Sequence, residues 1–159
     1  MPTSKSQKPQ SRFVYLPDEE KSAMSDVLSP KEANAPTLKK LYDDAYMDTT
    51  LDNDGDLRVE EDGLGCYVLP INDGNRLKLL TVWQARRGCT TAKRLEFANR
   101  VNDSIITVRV SVNDDLIFFD YYIPIEGGIT KKAIVLATKH FLAVQKLAVL
   151  ECGGQEVLG

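Results

Sequence analysis

The chain has 159 residues, 43% of them hydrophobic and 27% charged, with a formal net charge of −3 and an isoelectric point near 5.2. Such a chain is long enough for one domain with its own core, and its mild acidity argues against nucleic acid as the main partner. Three cysteines, Cys66, Cys89 and Cys152, form no CxxC pair, which disfavours a disulfide framework or a thiolate metal site and fits a reducing cytoplasm.

Five of the seven prolines fall within residues 1–36, so residues 1–35 read as an N-terminal arm with a polar tail at its start. In the arm Phe13-Val14-Tyr15-Leu16 is apolar, and Asp18 could cap a short helix carrying Ala23, Met24, Val27 and Leu28. The arm is polar where a secretory signal would be apolar, and no apolar run reaches the length of a bilayer span. The domain itself is expected over residues 36–150, with a C-terminal tail at 151–159.

Pro36 suits the first turn of a helix, and Leu38, Leu41, Tyr42, Ala45 and Tyr46 then recur at helical spacing. Thr49–Leu51, Asp56–Glu60 and Leu64–Ile71 read as short strands separated by Asn-, Asp- and Gly-rich turns. Arg76–Ala85 is apolar on both faces, which predicts a central strand. Thr90 or Thr91 should cap a second helix through Val101, with Ala92, Leu95, Ala98 and Val101 inward and Asn102 ending it.

Ile105–Ile123 reads as a hairpin turning at Asn113-Asp114. Its apolar pattern pairs Val110 with Ile117, Val108 with Phe119 and Ile106 with Tyr121, and sends Asp120 to the other face, where substitution should cost under about 1 kcal/mol. Gly127-Gly128 breaks the chain, and Thr130 should cap a last helix to about Leu150, with Ile134, Ala137, Phe141, Val144, Leu147 and Ala148 toward the sheet. The order helix, strands, helix, two-strand hairpin, helix predicts an α+β fold on an antiparallel sheet.

Motifs for chemistry are sparse. Asp52, Asp54 and Asp56 have the alternate spacing of a calcium loop, but the sixth and twelfth positions hold Leu57 and Gly63 where a calcium EF-hand needs Gly and Glu. A small-ligand or calcium sensor built on that acidic loop is the alternative function. Arg86, Arg87, Lys93 and Arg94 form a basic concentration that could meet nucleic acid, without the aromatic platform such sites use. His140, the only histidine, falls on the apolar arc of the last helix and reads as a core or interface residue. No catalytic motif, metal site or cofactor fingerprint is present, so a non-enzyme is expected.

Two surfaces stand out as interaction candidates. Val135, Leu142 and Val149 stack at seven-residue intervals on the last helix between polar rails, Thr138 and Gln145 on one side and Lys132, Lys139 and Lys146 on the other. The outer hairpin face carries Ile105, Leu116, Phe118 and Tyr122.

The segment LEFANRVNDSIITVRVSVNDDLIFFDYYIPIEGGITKKAIVLATKHF resembles the C-terminal part of the YbjN-type domain, named for bacterial sensory transduction regulators. The matching features are the Asn99-x-x-Asn102 helix end, the strand pair turning at Asn113, the Gly127-Gly128-Ile129-Thr130 break and the final helix bearing Phe141. The resemblance covers about residues 36–150. It implies an α+β fold similar to type III secretion chaperones, which are dimeric and bind segments of other proteins, and it implies no enzymatic activity. A chaperone-like or regulatory interaction module, binding a protein client or itself as a homodimer, with no cofactor, is therefore the leading expectation.

Overall fold

A computed structural model describes residues 26–159, so the features expected at Phe13–Leu16, Asp18, Ala23 and Met24 lie outside the described residues. In chain order the elements are β1 (Val27–Leu28), α1 (Ala35–Asp44), β2 (Asp48–Leu51), β3 (Leu57–Glu61), β4 (Leu64–Ile71) and β5 (Arg76–Gln84). They continue with α2 (Thr91–Ser104), β6 (Arg109–Asn113), β7 (Leu116–Pro124), β8 (Ile129–Thr130) and α3 (Lys131–Glu151). Strands β2 to β7 form one antiparallel sheet in the order β2-β3-β4-β5-β7-β6, and β1 pairs with β8 in a separate short ribbon. The fold is α+β.

Alternation along the strands puts Leu57, Val59, Cys66, Val68, Leu77, Leu79, Ile117, Phe119 and Ile123 on one face, all at most 3% exposed. The helices cover that face. Phe97 of α2 meets Phe119 with ring centroids 6.2 Å apart, and Tyr42 of α1 joins Thr138 of α3 through a 2.8 Å hydroxyl pair. Thr90 and Thr130 cap α2 and α3 as expected, and Asn34, which was not anticipated, caps α1 ahead of Pro36; each accepts from a backbone N–H three residues on. The opposite face carries no helix among the described residues, and Tyr67, Leu69, Leu80, Phe118 and Tyr122 there are only partly covered.

The structure corrects several expectations. Val27 and Leu28 form a strand against Thr130 and Ile129 rather than part of a helix. Tyr46 leaves the apolar stripe because α1 stops first, and it is 98% exposed. In α2, Phe97 joins Ala98 and Val101 in the core, while Leu95 is 48% exposed. The helix also runs through Asn102, whose side-chain amide accepts from Val110 N–H at 2.7 Å and donates to Val110 C=O at 2.9 Å. Asn102 therefore closes the outer edge of β6 instead of ending a helix.

That longer helix shortens the hairpin. Ile105 and Ile106 stay outside it, Ile106 at 98% exposure, and the tight turn moves to Asp114-Asp115, with Asp114 at φ 53°. The register is Val110↔Phe119 and Val112↔Ile117, two residues along from the expected pairing. A two-residue slide preserves every face, so the apolar pattern could not choose between them. Asp120 does point away from the helices, yet it is 3% exposed, bound by Arg109 through two hydrogen bonds of 3.0 and 2.7 Å.

Helix α3 is rotated relative to its apolar arc. It buries Ile134, Thr138, Phe141, Leu142, Val144, Gln145 and Ala148, and leaves Leu147 at 44% exposure. The rail of Thr138 and Gln145 finds internal polar partners, so it faces inward. Residues Lys131–Glu151 are also long and apolar enough to cross a bilayer by length and composition, with a mean hydropathy of 1.5, although here the helix lies over the sheet. The segment after it is no loose tail. Cys152, Val157 and Leu158 are buried, Leu158 bridges to Ala85, and Gly159 N–H donates to Gln84 C=O.

Candidate protein-binding surfaces

An apolar depression lies between the β3–β4 hairpin and the C-terminal half of α3. Asp62 and Gly63, at φ 52° and 76°, make the tight turn that brings Glu61 and Leu64 to the helix. The groove has a volume of about 520 Å³, with Leu64, Trp83, Leu142, Ala143, Val149 and Leu150 as its apolar lining. Its rims are charged with opposite signs: Glu61 and Asp62 on the hairpin, Lys139 and Lys146 on the helix. Lys139 and Glu61 form an ion pair across one end.

A hydrogen-bond relay through buried Gln145 fixes the groove wall. Trp83 Nε1–H donates to Gln145 Oε1 at 3.2 Å, Gln145 Nε2 donates to Thr81 Oγ1 at 3.0 Å, and the Thr81 hydroxyl donates to Gly65 C=O at 2.8 Å. Gln145 is 1% exposed and both ends of its amide are satisfied, so the indole orientation is set by the core. Sequence reasoning missed Trp83 and Gln145 as a pair because they lie 62 residues apart. In the sequence Gln145 stands only as part of a polar rail beside the apolar stripe of α3, which gives no sign of an inward position.

Of the seam residues, Leu142 and Val149 meet in this groove, Leu142 at 3% exposure. Val135 lies elsewhere on α3 and lines a separate depression of about 350 Å³ with Asp26, Leu41, Asp44, Ala45, Lys132 and Leu136. Phe118 and Tyr122 belong to the uncovered sheet face, where the Lys78 ammonium lies 6.0 Å and the Arg109 guanidinium 5.9 Å from the Tyr122 ring centroid.

The acidic loop folds itself. Asp52 Oδ1 accepts from the N–H groups of Asp54 and Asp56 at 3.0 and 2.9 Å, and among the described residues no group of three or more His, Cys, Asp or Glu could hold a metal ion. Arg86, Arg87 and Arg94 line a common cavity, which Lys93 does not reach. His140 is exposed on α3, with Nε2 3.1 Å from Thr107 Oγ1, so of its two readings, core or interface, the core one is wrong. The α3 rotation that buries Thr138 and Gln145 turns it outward.

The perturbed ionisable groups are structural. Burial pushes the Cys66 thiol up to about 12 and raises the Tyr42 phenol, the latter partly offset by Thr138. Hydrogen bonds from Lys39 and Thr49 lower the Asp43 carboxyl, those from Ser29 lower Glu32, and the Asp120 carboxylate raises Arg109. None of these groups lines the groove.

The profile of the YbjN family, described as "Putative bacterial sensory transduction regulator", matches residues 34–144. The chain belongs to the YbjN family. Its structure is similar to the crystal structure of YbjN from E. coli, titled a "putative transcription regulator", at 18% identity and a TM-score of 0.64, covering 79% of this chain and 95% of that one. It also matches a chain of the HopA1–SchA chaperone–effector complex at 13% identity and a TM-score of 0.47, covering 67% of this chain and 84% of that one. No curated protein matches the chain. At 18% identity the YbjN crystal structure speaks for the fold alone, and family membership supports a regulatory role.

Proposed function

We propose that this YbjN-family chain is a non-enzymatic protein-interaction module, regulatory or chaperone-like, that works in the cytoplasm. It holds an amphipathic segment of a protein client, or of a second copy as a homodimer, in the groove between the β3–β4 hairpin and α3. The observation that carries this reading is the groove itself: an apolar floor with Trp83 held by a hydrogen bond to buried Gln145, between rims of opposite charge. A preorganised aromatic wall favours apolar side chains at low entropic cost, and two charged rims fix the orientation of a segment that carries both signs. Half-buried Val149 and the 62% exposed Leu150 supply the apolar contact, over Leu142 buried beneath them.

The test is site-specific photo-crosslinking in cells. A photoreactive residue at Leu150 should capture a defined protein or a second copy, identified by mass spectrometry, and the same residue at exposed Asn99 on α2 should not. Equal, diffuse capture at both positions would reject the groove as the binding surface.

A further inference from the structure

A second cavity, remote in sequence from the groove, carries a different chemistry. It has a volume of about 500 Å³ and lies where the end of β5 approaches the start of α2, lined by Arg86, Arg87, Cys89, Arg94, Gln84 and Asp115 among others. Three guanidinium groups line it against two carboxylates, the Asp115 side chain and the terminal group of Gly159, and Asp115 is already engaged, because its Oδ2 accepts from Gln84 Nε2. No ion pair among the described residues involves any of the three arginines. Arg86 is anchored by donating from Nε and Nη2 to Leu158 C=O, while Arg87 has no described partner.

Arg94 supplies the most telling detail. Its Nη2 donates to Thr91 Oγ1 at 2.8 Å, but its Nε is buried with no hydrogen-bond partner. A charged donor shielded from water and left unpaired is costly. An anion in the cavity, which Arg94 lines, supplies the charged partner that this guanidinium lacks. A planar guanidinium matches phosphate oxygens two at a time, and three of them around one cavity outnumber the two carboxylates there.

We infer that the cavity of Arg86, Arg87 and Arg94 is a binding site for a phosphate group, carried by a small phosphorylated molecule or by a phosphorylated side chain. The site shares no residue with the groove, so its failure would leave the proposed function standing.

The experiment is calorimetric titration of the full chain with sodium pyrophosphate, with a phosphoserine peptide of otherwise neutral sequence, and with a single-stranded oligonucleotide, all at fixed ionic strength. Saturable heat is expected with at least one of the first two probes, and whichever binds tighter identifies the source. Arg94→Gln and Arg87→Gln should each weaken that binding about tenfold or more, the loss expected for one charge-assisted contact, whereas Arg100→Gln should leave it unchanged. Arg87→Gln removes no protein contact, so it keeps the test sound if Arg94→Gln unfolds the chain. The inference is overturned if neither small probe gives saturable heat at 10-millimolar order (about the weakest affinity of interest), if both variants bind as the parent does, or if only the oligonucleotide binds.

Discussion

The Arg109–Asp120 pair should respond unequally to removal of its two members. Asp120 has a side chain 4% exposed and Arg109 one 64% exposed, so one partner is dry and the other wet. Removing Asp120 lets the guanidinium return to water, and Asp120→Ala should lose only the net worth of the contact, about 1–2 kcal/mol. Removing Arg109 strands a carboxylate away from water. A fully buried orphan costs about 3–5 kcal/mol, and on a face that water can reach through side-chain motion the figure should be about 3 kcal/mol. Arg109→Met is the cleaner variant, because it keeps a flexible stem beside the Tyr122 ring. Urea melts of both variants, compared at equal slope, give the two losses directly. If Asp120→Ala costs as much as Arg109→Met or more, Asp120 is hydrated and the reasoning fails.

Phe119, fully buried against Phe97, should cost about 3–5 kcal/mol when cut to Ala, read in the same melts. Tyr46 closes α1 in a left-handed conformation at φ 60°, with Met47 N–H donating to Tyr42 C=O and Tyr46 N–H to Asp43 C=O. Tyr46→Gly relieves about 1–2 kcal/mol of strain and gives back about 0.5–1 kcal/mol in unfolded-state entropy, so thermal unfolding should show a gain of about 0.5–1 kcal/mol. The Cys66 thiol is held at about 12 in the fold against 9.0 for the free group. Its folded value lies above its unfolded one, so this stability is fully present below pH 9 and is lost as pH rises toward 12, at about 1.4 kcal/mol per pH unit. Cys66→Ala should flatten that part of the stability profile, and an unchanged slope would contradict the burial.

The sheet and its helices were legible because each apolar repeat has one period, so the stretch from Arg76 declared itself central, Pro36 and its apolar stripe announced the first helix, and two threonine caps announced the others. Register and rotation were harder. The hairpin could slide by two residues without moving any side chain to the other face, and the deciding contact is Asn102 on Val110, a long-range pairing of helix with strand edge. Thr138 and Gln145 looked like a solvent rail because their partners, Tyr42, Thr81 and Trp83, come from other elements. Asp120 looked exposed for the same reason. Within the groove, Leu142 and Val149 were visible as a helical stripe, but Trp83 entered only when β5 was laid beneath α3.

Trp83 is the chain's single tryptophan and it lines the groove, so its emission reports on occupancy without a label. The decisive measurement is a fluorescence titration of the full chain with the segment captured by crosslinking at Leu150. Occupation of the groove predicts a saturable blue shift, lost in Ala143→Arg, which blocks the lining while the native circular dichroism is kept. Binding of that segment, seen by calorimetry, with Trp83 emission unchanged in the parent chain would contradict the account.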